Sequence, residues 1–215
     1  CMHPTVLHED SLWVSGDFLG MARRFLQENV LGRGCPVLCH TGPAGNQSPR
    51  YVTRANTLEE AERLGEILGR AVIQVLSEIV YTRSVQLHGH QRFTDLPRRR
   101  FPTVTEAQLK LERSIQKLEN LRQAGAPKQA IRTAEVDWFG AEETVTLARA
   151  AEQGRLEAVY QTCLPAEVQI LKVGQWSFVG WPGEIFVEYG LKVKQHCPDT
   201  FVISLANGEL QGYIV

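Results

Sequence analysis

Apolar residues recur at helical spacing in two segments within the first eighty positions. The first segment follows Ser15 and Asp17, either of which can cap the start of a helix. Its apolar positions are Phe18, Met21, Ala22, Phe25 and Leu26. The second segment follows Thr57-Leu58-Glu59-Glu60, which has the pattern of a capping box, and is expected to end near Ile79. Its predicted apolar face consists of Leu58, Ala61, Leu64, Leu68, Val72, Val75 and Leu76.

Short apolar runs between turn-forming residues predict the strands. The run Cys35–His40 lies between glycines and is typical of a buried strand. Cys35 and Cys39 would then be small core residues, with a zinc or redox role as the alternative. The other predicted elements are strands at Ser84–Phe93, Ala166–Val173, Trp176–Gly180 and Phe201–Ala206, a turn at Gly174-Gln175, and a helix over Ile185–His196. Strands that alternate with helices predict an α/β fold with a mixed β-sheet and flanking helices.

A polar, charged region interrupts this alternation. Glu106–Ala124 has helical spacing, with a narrow apolar stripe formed by Leu109, Ile115 and Leu118. Gly125 and Pro127 end this helix, and a second helical stretch runs from about Lys128 to Gln153. We therefore expect a charged helical hairpin, about residues 104–153, inserted on the outside of a single α/β domain to which all of residues 1–215 belong.

Composition excludes several classes of protein. The chain has 215 residues, 43% hydrophobic and 22% charged, which is typical of a globular domain. A net charge of -1 argues against a broad nucleic-acid surface, and no apolar run approaches the roughly 18–20 residues of a membrane span. Five cysteines are too few, and odd in number, for a disulfide scaffold. Because the chain opens on Cys1 and closes on the apolar Gly212–Val215, we expect a fragment of a catalytic domain, truncated at both ends.

Three positions next to predicted strand ends carry residues that are suited to chemistry. Ser48 lies in the loop Gly45-Asn46-Gln47-Ser48-Pro49, Glu184 follows Pro182-Gly183 at a strand-to-helix junction, and His3 precedes the first helix. Each also has a structural interpretation. The loop is a common turn composition, the glutamate favours a helix N-terminus, and a single histidine is often structural.

Two further groups of residues are candidate ligand sites. His88 and His90 would project from the same side of a strand, which is a spacing that a metal can use, although an exposed strand is the favoured interpretation. Arg98, Arg99 and Arg100 are expected to form a solvated charge cluster. A phosphate-binding role is the alternative, but no glycine-rich loop lies beside them.

In order and spacing, these segments resemble the catalytic domain of the neutral/alkaline non-lysosomal ceramidase family. His3-Pro4-Thr5 followed by Ser15-Gly16-Asp17 and Gly20 resembles the segment in which a zinc-binding histidine precedes S-x-D-x-x-G. Gly45–Arg50 resembles the family's G-D-V-S-P-N, and Trp181–Glu184 followed by Glu188 resembles its P-G-E segment. Ala206-Asn207-Gly208 with Gly212-Tyr213 resembles the stretch that comes next in the family.

The resemblance implies a Zn²⁺ cofactor that is held in the family by three histidines, a glutamate and a tyrosine. Of these ligands it assigns His3 and Glu184 to the chain, and it places Ser48 at the active centre. It places the other two histidines upstream of residue 1 and the tyrosine a few residues beyond Val215, so Tyr213 is not assigned. The chain departs from the family pattern at Asn46, Gln47 and Arg50, where the family has aspartate, valine and asparagine, and these departures bear on the substrate.

The implied activity is zinc-dependent hydrolysis of the N-acyl bond of ceramide or a related lipid-like substrate. Zinc polarises an amide carbonyl and lowers the pKa of a bound water to about 7. We favour that water as the attacking group with Ser48 positioning the substrate, while Ser48 as nucleophile stays open. The alternatives are a zinc hydrolase of another N-acyl or ester substrate, and a non-catalytic binding domain. The resemblance favours a secreted or cell-surface location, and the chain alone is expected to be inactive.

Overall fold

In the computed structural model, which describes residues 2–208 and 210–215, the chain is an α/β protein, as the sequence predicts. Cys1 lies outside the described residues. The chain divides into two compact units. One contains the residues up to Phe93 together with Glu167–Val215, and the other is Thr94–Ala166. His3, Ser48 and Glu184 all belong to the first unit.

Helices α1 (Asp17–Leu26) and α2 (Leu58–Leu76) pack against each other in the first unit. A π-helical turn, Gln27–Leu31, extends α1. The contact is close because α2 presents Gly65 to α1. A Cβ at Gly65 would lie 2.5 Å from Met21 Cβ, 2.7 Å from the Phe18 carbonyl oxygen and 2.8 Å from Ala22 N. Only glycine therefore fits at this point of the helix pair.

The face of α2 that contacts α1 agrees with the predicted one at Ala61 and Leu64 and differs from it further along the helix. Its buried apolar and small positions are Ala61, Gly65 and Gly69, whereas Leu68 and Val75 of the predicted stripe are exposed. The helix also ends at Leu76 rather than near Ile79. Thr57 caps the helix as predicted, because its side chain accepts a hydrogen bond from Glu60 N.

The Glu60 carboxylate is buried in the first turn of α2 and is fully engaged. It accepts hydrogen bonds from Arg63 Nε at 2.8 Å, from Arg63 Nη2 at 2.6 Å and from the Arg54 backbone N–H at 2.8 Å. The hydrogen bonds from Arg63 hold the pKa of Glu60 at about 2, although burial opposes this shift. Glu60 thus fixes the chain that enters α2.

The second unit is built around the predicted helical hairpin. Helices α3 (Val104–Gln123) and α4 (Lys128–Glu152) pack together, and a third helix, α5 (Leu156–Cys163), follows them. Ala107, Val145 and Ala148 form the centre of the contact. The predicted stripe of α3 is correct at Leu118, which is buried, and wrong at Leu109 and Ile115, which are exposed.

The strands form one mixed sheet of four strands and a separate pair. In chain order they are β1 (Leu87–Thr94), β2 (Ala166–Val173), β3 (Trp176–Gly180), β4 (Gly183–Ile185), β5 (Thr200–Ile203) and β6 (Leu210–Ile214). The sheet order is β1-β2-β3-β5, with β2 antiparallel to β3 and β3 parallel to β5. The last helix, α6 (Val187–His196), begins two residues later than predicted. Strands β4 and β6 pair in parallel.

The predicted strand at Cys35–His40 is wrong. These residues lie outside regular secondary structure, Cys39 is exposed and Leu38 is 81% exposed. Pro36 contributes no backbone N–H, which weakens any ladder through this run. The cysteines are therefore not core residues. No helix among the described residues is both long and apolar enough to cross a bilayer.

Candidate functional site

His3 and Glu184, which are separated by most of the chain, lie side by side in the folded protein. His3 Nδ1 is 3.7 Å from Glu184 Oε1, and the two side chains keep 19% and 29% of their surface exposed. Two ligands at about 2.0–2.2 Å from one zinc ion are at most about 4.4 Å apart. The predicted convergence of His3 and Glu184 is confirmed at a distance that two ligands of one ion can have.

The imidazole of His3 has unused hydrogen-bonding capacity. Its Nε2 atom is buried and has no hydrogen-bond partner among the residues that the structure describes. The 3.7 Å separation on the Nδ1 side exceeds the length of a hydrogen bond. A buried polar atom without a partner costs free energy, and such atoms are rare in folded proteins unless a water or an ion completes them.

These residues fit a zinc ion. Neutral imidazole and carboxylate are both common zinc ligands, and the atoms that face each other are His3 Nδ1 and Glu184 Oε1. Within residues 2–208 and 210–215, no set of three or more His, Cys, Asp or Glu side chains could hold a metal. The chain thus supplies two protein donors at one place.

The segment that carries His3 is anchored to the α1–α2 pair. Val6 is fully buried against Phe18 and Ala61. The buried Asp17 carboxylate accepts hydrogen bonds from the backbone N–H groups of Leu7 at 3.0 Å and Phe18 at 2.8 Å. Asp17 has a φ of 51°, in the left-handed region that aspartate tolerates better than most residues. The sequence offered Ser15 or Asp17 as the cap of α1, but Gly16 occupies the N-cap position without a side-chain capping bond, and Asp17 holds the His3 segment instead.

Glu184 is positioned by the β4–β6 pair. Tyr213 is its partner in the register, and the Tyr213 ring meets the His3 ring edge to face with centroids 6.3 Å apart. Tyr213 also contacts Phe186, at a centroid distance of 6.0 Å. The β4–β6 pairing therefore brings an aromatic ring against the imidazole and restricts its orientation.

The loop 41–50 joins the His3 segment to β4. Gly45 N donates to the Ile185 carbonyl at 2.9 Å, and His3 N donates to the Gln47 carbonyl at 3.0 Å. Glycine is favoured at position 45, because a Cβ there would lie 3.0 Å from ring atoms of both Phe186 and Tyr213, and these rings would have to shift slightly. This close approach explains why the loop has the glycine that the sequence pattern singled out.

Ser48 lies on the same loop, and the hydrogen bonds of its side chain are to a neighbour in the sequence. Its Oγ atom accepts hydrogen bonds from Arg50 N at 3.3 Å and Arg50 Nε at 3.0 Å, and it caps the short 3₁₀ turn Pro49–Tyr51. Neither bond uses the hydroxyl proton of Ser48. The carbonyl of Gln47, the residue before Ser48, accepts a hydrogen bond from His3 N. The loop 41–50 therefore links the predicted site residues His3 and Ser48. The catalytic role of Ser48 stays a prediction.

Asn46 makes the most extensive polar contacts of this loop and was considered in the sequence only as a departure from the family pattern. Its Oδ1 atom accepts a hydrogen bond from Val187 N at 3.0 Å. Its Nδ2 atom donates to both oxygens of Glu188, at 3.1 Å and 2.9 Å. The side chain thereby links the loop to the first turn of α6. Val187 and Glu188 follow Asn46 by 141 and 142 positions, so no local sequence pattern could have indicated these contacts.

The remaining candidate groups lie elsewhere. His88 and His90 are exposed on β1, as the favoured interpretation predicts. In the second unit, Arg98 pairs with Glu157 and lies over the ring of Tyr160, while Arg99 lies over Phe101. These residues line an open cavity of about 500 Å³ within that unit. Arg98 is therefore a paired residue and not only a solvated charge.

Comparison of the chain with the profiles of protein families, with curated proteins and with solved structures finds no match.

Proposed function

We propose that the chain belongs to a zinc-dependent amide hydrolase that cleaves the N-acyl bond of ceramide or a related lipid. The observation that carries the proposal is the approach of His3 Nδ1 to Glu184 Oε1 at 3.7 Å. Two ligands of a single zinc ion can have this spacing, so these are the two atoms that would share the ion.

The residues have separate tasks in this proposal. His3 and Glu184 hold the ion, and Tyr213 limits the rotation of the His3 ring. Bound zinc supplies Lewis acidity toward an amide carbonyl and toward water. Ser48, whose hydroxyl proton is not used in its bonds to Arg50, donates a hydrogen bond to the oxygen on which charge develops. Gly45 allows the backbone of the loop to lie close enough to β4 for these groups to act together.

Zinc content tests the proposal most directly. We expect one zinc ion per molecule in the longer protein that the resemblance implies, measured by elemental analysis after dialysis. His3→Ala and Glu184→Gln should each lower zinc affinity strongly, because each removes a ligand. The matched control is His88→Ala, an exposed histidine on β1, which should leave the zinc content unchanged. Zinc that is lost with His88 and retained without His3 would contradict the proposed ligands.

A panel of substrates then separates the possible activities. An N-acylsphingosine, a simple N-acyl amide and an ester of the same acyl chain would be compared at equal concentration. Hydrolysis of the N-acylsphingosine that requires both His3 and Glu184 supports the proposal. Preference for the ester would identify a different zinc hydrolase. Tight zinc binding without any hydrolysis would leave a binding domain as the function.

A further inference from the structure

The side chain of Asn46 connects the two segments that carry Ser48 and Glu184. We define the Asn46 bridge as the hydrogen bonds from this side chain to Val187 N and to the Glu188 carboxylate. We infer that Asn46 is a positioning residue for the proposed site, and that Glu188 requires asparagine rather than aspartate at this position. The link to catalysis rests on the proposed function, but the link between the two segments does not.

The polarity of an amide fits both partners of the bridge. The carbonyl end of Asn46 faces a backbone N–H donor, and the amino end faces a carboxylate that can only accept. An aspartate could accept from Val187 N, but it would turn its other oxygen toward Glu188 at about 3 Å. Two ionised carboxylates at that distance repel each other. They stay in contact only when one of them is protonated, and at higher pH the side chain at position 46 moves away from Glu188.

The bridge lies at the centre of a chain of short contacts. On one side of Asn46, Gly45 N bonds to the Ile185 carbonyl, one residue after Glu184. On the other side, the Gln47 carbonyl accepts a hydrogen bond from His3 N, and Ser48 follows. Displacing the Asn46 side chain from α6 would therefore shift the loop relative to both predicted zinc ligands.

The test is a double-mutant cycle. Asn46→Asp introduces the repulsion while keeping the size and shape of the side chain. Glu188→Gln is the matched control, because glutamine keeps an oxygen that accepts from Asn46 Nδ2. In the double variant Asn46→Asp/Glu188→Gln, the new amide at position 188 donates to the new carboxylate at position 46. If only the size of the side chains at positions 46 and 188 mattered, these variants would all behave alike.

We expect Asn46→Asp to lower kcat by about 10- to 100-fold near pH 8, since a displacement of about 1 Å can cost that much. KM should change less than kcat. The deficit relative to the wild type should shrink toward pH 5, as the carboxylate pair takes up a proton. Glu188→Gln alone should stay within a few-fold of the wild type, and the double variant should return to that level.

Other charged groups near the bridge do not differ between the variants. His3 and Glu184 belong to the site, Arg50 lies on the same loop, and Lys192 follows Glu188 by one turn of α6. Because these groups are common to all four proteins, dividing each rate by the wild-type rate at the same pH removes the part of the pH dependence that the proteins share. The decrease in the kcat deficit of Asn46→Asp toward pH 5 thus reports on positions 46 and 188.

A second measurement does not depend on activity. Hydrogen exchange at the amides of Val187 and Gly45 should be faster in Asn46→Asp than in the wild type and should slow again in the double variant. Full activity of Asn46→Asp at every pH, or a pH-independent loss that Glu188→Gln does not rescue, would overturn the inference. If the wild-type protein neither binds zinc nor hydrolyses any substrate, the proposed function fails. The exchange rates alone then decide whether the bridge positions the loop.

Discussion

Replacing Gly65 by alanine tests the helix contact on which the His3 segment rests. The added methyl carbon would lie 2.5 Å from Met21 Cβ and within 2.8 Å of two backbone atoms of α1. Backbone atoms inside a helix cannot move out of the way as the end of a flexible side chain can. The two helices must therefore separate locally, or one must rotate.

The expected size of the effect follows from two opposing contributions. Overpacking of a close contact costs about 1–3 kcal/mol. Alanine is better than glycine in a helix by about 1 kcal/mol, which offsets part of that cost. We expect a net loss of up to about 2 kcal/mol in the free energy of unfolding. For a chain of this size, that corresponds to a thermal midpoint lowered by up to about 8 °C.

The matched control is Gly20→Ala in α1, where an added Cβ would have no atom within 4 Å. This substitution should raise stability by about 0.5–1 kcal/mol, because only the helix propensity changes. Thermal unfolding followed by far-UV circular dichroism compares the two variants with the wild type. The reasoning is refuted if Gly65→Ala stabilises the protein as much as Gly20→Ala does.

Three further predictions concern the site and its surroundings. Ser48→Ala should lower amidase turnover about 10²–10³-fold but stability by only about 1 kcal/mol, and unchanged turnover would remove Ser48 from the site. Because the pKa of Glu60 is lowered from 4.5 to about 2, its contribution to stability is complete above pH 4.5 and is lost as the pH falls toward 2. Glu60→Gln should remove this dependence in acid unfolding curves. The chain alone should bind zinc weakly in a chelator competition and show little activity, because it has two of the five ligands that the resemblance implies. Tight stoichiometric binding would contradict the assigned ligands and make His88 and His90 the next candidates.

Elements with strong local signals were predicted well. The β2–β3 hairpin has the predicted bounds, because alternating residues and the turn at Gly174-Gln175 specify it locally. Helices α3 and α4 also agree closely with the prediction, since Gly125 and Pro127 mark the boundary between them, whereas α5 was not predicted. These features depend on neighbours in the sequence.

The predictions failed where the structure of a segment depends on the other segments of the chain that it packs against. The run Cys35–His40 is apolar enough for a strand, but a strand also requires a backbone to pair with, which no local pattern reveals. In α2, the predicted stripe is correct at Ala61 and Leu64, but it continued along Leu68 and Val75, whereas the close approach of α1 selected Gly65 and Gly69. Glycine carries little hydrophobic signal, so periodicity alone does not reveal this part of the face.

The candidate site rests on the resemblance and not on periodicity. His3 and Glu184 are too far apart in the chain for any spacing rule to bring them together, and the distance between them in the fold agrees with the expectation. Asn46 and Tyr213 were missed as contacts because their partners are set by the pairing of β4 with β6 and by the start of α6. Such contacts are properties of the assembled fold.

The division of the chain into two units has a consequence for how such a protein can change. The hairpin unit enters and leaves through β1 and β2, which are neighbouring strands of one sheet. Insertions or deletions between Thr94 and Ala166 therefore change the number of residues between Ser48 and Glu184 without changing the order of the segments that carry His3, Ser48 and Glu184. The hairpin can diverge in length while those three residues are kept.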